Sequence, residues 1–167
     1  MPYSSTLVLC ALYAVLAAPC AALAVDDPAG LDACLAATLA LHPGVVVEWE
    51  VEDGTGRGYE IEIVTRDGSV WEIDCHPATG LAQAPQRSVG TLDYAALSNR
   101  ARVAEAQARE MVRNHYPGRF IEMQYDTTWR GGSRYVYTVI TPDDREARVE
   151  VDAASGRILR SRSESRD

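Results

Sequence analysis

Lysine is missing from this chain of 167 residues: all sixteen of its basic residues are arginine. Missing too are the patterns that carry the commoner chemistries. There is no G-x-S-x-G, no H-E-x-x-H and no phosphate-cradling glycine loop, which excludes those routes to acyl transfer, zinc hydrolysis and phosphate binding. No Asp-x-Asp-x-Asp-Gly loop is present, so a dedicated calcium loop is excluded. His42, His76 and His115 stand far apart and make no metal-spaced set, and there is no C-x-x-C. The expectation is a protein that is not an enzyme, with no cofactor and no metal centre.

Charge is absent from the first 25 residues. Leu7 to Ala24 is small and apolar and closes on Ala22-Leu23-Ala24 before the acidic Val25-Asp26-Asp27. An apolar stretch ending in A-x-A reads as a secretory signal peptide, residues 1–24. A retained membrane anchor and a chain acylated at Cys20 are the alternatives. No other stretch is long and apolar enough to span a bilayer. Cys10 and Cys20 leave with the signal, so Cys34 and Cys75 remain. Two cysteines in a small exported chain are read as a disulfide.

Charge is also unevenly spread. Residues 26–86 hold twelve Asp/Glu against two Arg, and residues 87–167 hold twelve against fourteen. The acidic half argues against nucleic acid and anionic membranes as partners. A membrane enters only if the signal segment is retained.

What is present is a repeat. His42-Pro43-Gly44 matches Tyr116-Pro117-Gly118 at a spacing of 74 residues, and Tyr59, Thr65, Asp67 and Gly80 match Tyr135, Thr141, Asp143 and Gly156 at 76. The difference falls in a turn, where insertions are tolerated. Each copy opens with an apolar helical stripe: Leu31, Cys34, Leu35, Thr38 and Leu41 in the first, Ala104, Ala108, Met111, Val112 and His115 in the second. Pro-Gly stops the helix. Three alternating strands follow, in copy one with Val47, Trp49 and Val51, then Tyr59, Ile61 and Ile63, then Trp71, Ile73 and Cys75 facing inward. Strict alternation implies a sheet with one covered and one wet face. The fold expected is α+β, with two tandem units, each one helix packed on a three-stranded antiparallel meander. Units one and two are placed at 25–86 and 87–167.

Helix, Pro-Gly, strand, aromatic-led strand, Asp-Gly turn and a strand ending in Asp-Ala-x-Ser/Thr-Gly resembles the PepSY domain. Copy two carries the pattern in His115-Tyr116-Pro117-Gly118, Tyr135 to Val139 and Val149-Glu150-Val151-Asp152-Ala153-Ala154-Ser155-Gly156. Copy one departs from it with His76-Pro77-Ala78-Thr79-Gly80. The resemblance implies a periplasmic or secreted, non-catalytic binding or inhibitory module. Its partner would be another envelope or secreted protein, a peptidase among the candidates, and no catalytic residue carries over.

The disulfide gains a place from the repeat. Cys34 aligns with Ala108 on the helix stripe and Cys75 with Val151 on the last strand, so the thiols should meet across the core of unit one.

Alternation also puts Glu48, Glu50, Glu52, Glu60, Glu62, Glu72 and Asp74 on the outer face of unit one. Such a face is either a solvated surface or a docking site for a cation or a basic partner. Glu50, Glu60, Glu62, Glu72 and Asp74 are the candidate cation-binding residues of a small-ligand or cation sensor. Copy two has Glu122, Gln124, Val136, Thr138, Ile140 and Arg148 at its outward positions. Val136 and Ile140 there, with Trp129 and Arg130 on the Gly-rich hairpin loop, are the candidate protein contact. His42 and His115 are expected to cap helix ends.

Overall fold

The computed structural model describes residues 28–52, 58–128 and 130–165. Residues 1–24, expected to be a signal peptide, most of the first hairpin turn and Trp129 lie outside the described residues.

Helix α1 (Pro28–Leu41) leads into β1 (Gly44–Val51), β2 (Tyr59–Thr65) and β3 (Ser69–His76). Two further pieces, β4 (Leu81–Ala82) and β5 (Gln86–Thr91), both pair with β3. A short α2 (Tyr94–Ser98), capped by the Asp93 side chain, connects to α3 (Glu105–His115). Strands β6 (Arg119–Thr127), β7 (Ser133–Ile140), β8 (Arg145–Asp152) and β9 (Ile158–Ser165) complete the chain.

The α+β class and the helix-then-strands order stand as read from the sequence, but three strands per unit does not. Each helix is followed by a fourth strand position: β9 in the second unit, and in the first the broken pair β4 and β5. The chain leaves the ladder at Gln83-Ala84-Pro85, where proline has no N–H to donate. The units also do not form separate sheets. The nine strands of the described residues make one antiparallel sheet in the order β4-β3-β2-β1-β6-β7-β8-β9, with β5 beside β4 on the β3 edge.

The join is symmetric. β1 pairs with β6 through Glu48–Gln124, Trp49–Met123 and Glu50–Glu122. Trp49 and Met123 are equivalent residues of the two repeats and face each other, so a pseudo-two-fold axis passes between them, normal to the sheet. Gly44 and Gly118 are equivalent too. A Cβ on either would fall within 2.5 Å of a facing carbonyl, Val64 O or Ile140 O, which explains the repeated Pro-Gly. The Thr-x-Asp turn also recurs. Thr65 Oγ1 donates to Asp67 and Thr141 Oγ1 to Asp143, both at 2.6 Å, and the next residue, Gly68 or Asp144, has positive φ.

Both helices cover the same face, over one core that includes Trp49, Ile61, Ile73, Met123, Tyr137 and Val149, all fully buried. Trp71, expected in that core, is half-buried and stacks on His42 with ring centroids 4.4 Å apart. His42 is therefore a stacking partner, while His115 Nδ1 does reach the Met111 carbonyl at 2.8 Å, inside the last turn of α3. Cys34 and Cys75 are bonded, with Cα atoms 5.6 Å apart.

Between the helices lies an arginine that periodicity assigns to solvent. Arg109 on α3 is 3 % exposed; it pairs with Asp32 of α1 and, at 3.4 Å, with Glu105 one turn back. Burial raises the Glu105 pKa, with Arg109 opposing.

Candidate functional site

The uncovered face of the sheet is the candidate site. Ladder register places outward side chains in two rows that cross the strands on either side of the Trp49–Met123 line. In one row Asp74, Glu60, Glu50 and Glu122 lie opposite one another in sequence across β3, β2, β1 and β6. In the other, Glu72, Glu62 and Glu48 do so and end against Gln124. Beyond β6 the first row continues through Thr138 and Arg148 to Arg162, and the second through Val136 and Glu150 to Arg160. The face thus runs from carboxylates over β3 to guanidinium groups over β9.

Adjacent carboxylates about 5 Å apart oppose one another's ionisation. Glu60 is pushed up to about 7, by partial burial first and then by Glu72, Glu50 and Asp74. Glu62 is raised by burial and by Glu48 and Glu72. Glu48 is raised by burial, which Gln124 offsets by donating to Glu48 Oε1 at 3.3 Å. Oxygens of Glu60, Glu72 and Asp74 come within 4.8 Å of one another, a cluster of donors suited to a hard cation. Of the five predicted cation-binding residues, the fold brings these three together. Glu62 and Glu50 flank them through the ladder pairs Glu62–Glu72 and Glu50–Glu60.

At the opposite end Arg148, Arg160 and Arg162 line a cavity of about 160 Å³ with Glu150. Arg148 stands directly across the ladder from Arg162. Glu150 is already held by Arg134 at 2.9 Å, which also reaches Asp126 at 3.1 Å. Among the described residues Arg162 pairs with Glu164 alone, at 3.4 Å between two exposed side chains. Among the described residues no carboxylate pairs with Arg148 or Arg160.

The predicted apolar contact is corrected here. Val136 points to the outer face, as alternation requires, but is 2 % exposed. Arg134 spans from Asp126 on β6 to Glu150 on β8, and Arg148 reaches Gln124 at 3.4 Å. These arms cross above β7 and roof Val136 over, as long charged side chains do with their apolar stems. Thr138 is covered likewise and donates to Glu122. Ile140 is partly buried, and Arg130 is exposed at the hairpin tip. His76 is exposed.

Sequence reasoning missed the arginine cavity because it places no strand after Gly156. The alternation Arg160-Ser161-Arg162-Ser163 carries no apolar signal, and the available sign was the period of two in arginine itself.

A family model described as "Peptidase propeptide and YPEB domain" (PepSY) matches residues 30–80 and again residues 102–162. This chain belongs to the PepSY family. Its two PepSY copies are the two halves of the sheet related by the Trp49–Met123 axis. None of the curated proteins matches it. Among solved structures it is similar to a "putative lipoprotein" of Clostridium difficile 630, with 19% identity over 71% of this chain and 82% of that one, at a TM-score of 0.48.

Proposed function

We propose that this tandem PepSY protein is an exported, non-catalytic module of the cell envelope, periplasmic or secreted, that binds and restrains another protein there. The family's description names a peptidase propeptide, and a peptidase is the partner class this reading takes from it. The observation that carries the reading is the edge strand β9. It is eight residues long, exposed along nearly its whole length, and pairs only with β8 among the described strands. An unpaired edge offers a row of N–H and C=O groups to an extended segment of another chain, which is how strand addition recruits a partner. The opposite edge is interrupted by the break between β4 and β5 and is poorer for this purpose. The Cys34–Cys75 bond suits an oxidising compartment.

Prolines placed singly at Ser161, Arg162 and Ser163 test the reading, because only those whose N–H points to the open edge remove a donor from a partner. Inhibition of a peptidase co-secreted with the protein should be lost at alternate positions while circular dichroism stays native. No inhibited peptidase, or inhibition indifferent to all three prolines, would refute it. The cluster Glu60, Glu72 and Asp74 supports a second reading, a cation-binding sensor. Titration calorimetry with calcium and magnesium should then show binding that is abolished by Glu60→Gln with Asp74→Asn.

A further inference from the structure

The outer face carries both halves of a complementary surface. Over β3 and β2, Glu60, Glu72 and Asp74 crowd together, and none of the ion pairs among the described residues includes one of them. Over β8 and β9, Arg148, Arg160 and Arg162 surround a cavity that holds one carboxylate, already engaged by Arg134. Like charges directly opposite one another on a ladder destabilise it, and both ends of this face contain such pairs: Glu60–Asp74 and Glu62–Glu72 at one, Arg148–Arg162 at the other.

We infer that the outer face binds a second copy of this chain, face to face, with the acidic end of each copy on the arginine end of the other. The spacing supports this occupant. Within the order β4-β3-β2-β1-β6-β7-β8-β9, the seven strands from β3 to β9 that carry the charged rows are centred on β6. A two-fold axis lying along β6 therefore places β3 over the partner copy's β9 and β2 over its β8. Asp74 then meets Arg162 and Glu60 meets Arg148 within one row, and Glu72 meets Arg160 within the other. Glu62 falls on Glu150, which Arg134 already holds, and Glu122 on its own copy. Each contact occurs twice, as an isologous interface requires. Packed sheets cross at about 30°, and the reach of the guanidinium arms takes up the resulting offset. A chain of another kind would need an acidic and a basic cluster at this same separation. A second copy has both by construction. The interface is one of charge pairs, so it forms quickly and fades with salt. This inference is independent of the partner reading above, which uses the β9 edge and not the face.

Sedimentation velocity on the full mature chain tests it. The wild-type protein should dimerise at ~20 mM salt and lose affinity by about tenfold or more at ~300 mM. Glu60→Lys with Asp74→Lys should be monomeric alone, and so should Arg148→Glu with Arg162→Glu. Mixed together, the two variants should form a heterodimer, because the reversed clusters face each other on one side and the native clusters on the other. Arg148→Gln with Arg162→Gln, which introduces no new charge, should also weaken the dimer if the reversal variant fails to fold. The inference is overturned if the wild type is monomeric at low salt. It is equally overturned if the reversal or the glutamine variants dimerise like the wild type, or if folded reversal variants do not associate on mixing.

Discussion

In the first unit Cys34 and Cys75 are bonded between helix and last core strand, whereas the second unit has Ala108 and Val151, both fully buried, at the same two places. The second unit fastens its helix differently. Tyr125, Tyr135 and Tyr137 donate their hydroxyls to the carbonyls of Leu97, Val103 and Glu105, at 2.9, 2.9 and 3.1 Å. Three sheet tyrosines thus hold the segment that enters α3, and burial raises the pKa of Tyr135 and Tyr137 and keeps them protonated donors. One architecture is closed covalently in one half and by buried hydrogen bonds in the other. The difference teaches that the helix-to-sheet attachment is the weak link of so small a unit, and that it is reinforced by whatever chemistry the local residues allow.

The largest effect is expected where the halves meet. Arg109→Leu strands Glu105 in the core and should cost about 3–5 kcal/mol in urea unfolding. Adding Glu105→Leu should recover most of that loss, since a buried pair is costly mainly when broken. A full-sized loss in the double variant would show that the ion pair itself holds the helices.

Next comes the disulfide. Cys34→Ala with Cys75→Ala should lose about 3–4 kcal/mol, from a loop with a sequence separation of 41. The converse graft, Ala108→Cys with Val151→Cys, should oxidise spontaneously if the two units are true equivalents. Mass spectrometry of the non-reduced protein decides it, and two free thiols would break the equivalence.

Smaller still is Val136→Glu, which forces a charge under the Arg134–Glu150 and Arg148–Gln124 roof. It should cost about 2–3 kcal/mol, while Ile140→Lys at the strand end should change stability by no more than about 0.5 kcal/mol. Equal effects would mean that the roof is open in solution.

The smallest concerns Glu60. Its pKa is raised in the folded protein, so the native state holds the proton more tightly than the unfolded chain. Stability is therefore greatest below about pH 4.5 for this group and falls as pH rises toward about 7. Solvent screening at this partly exposed site limits the loss to the order of 1 kcal/mol. Glu60→Gln should flatten the melting temperature between pH 5 and 7 and raise it at pH 8. An unchanged profile would place the titration elsewhere on the face.

Much of this was legible in the residues. The repeat, the six strands β1–β3 and β6–β8 and the centres of the helix stripes (Leu31, Cys34 and Thr38; Ala108 and Val112) follow from period and spacing. Leu41, Ala104, Met111 and His115, assigned to the stripes, are instead exposed. Aligning Cys34 with Ala108 and Cys75 with Val151 located the bond. The fourth strands were not legible: β9 alternates arginine with serine and has no apolar side to announce it, and β4 with β5 is broken by Pro85. Nor does periodicity say which edges meet, so the fusion of two sheets through β1 and β6 rests on long-range pairing that leaves no local trace. Arg109 fails for a related reason, since its partners Asp32 and Glu105 come together only in the fold. Val136 shows the limit of alternation, which tells the direction of a side chain and not what lies above it.

The Cys34–Cys75 bond also has a mechanical consequence. A pull on the chain ahead of α1 can unravel only the turns before Cys34. From there the force passes through sulfur directly into β3, in the sheet, and bypasses everything between. The segment between them, a sequence separation of 41, is removed from the extensible length, about 140 Å of contour at roughly 3.4 Å per residue. Stretched by its ends, the oxidised protein should be shorter than the reduced one by that amount, a safety catch that shields β1 and β2, which lie wholly inside the covalent loop, from the direct load.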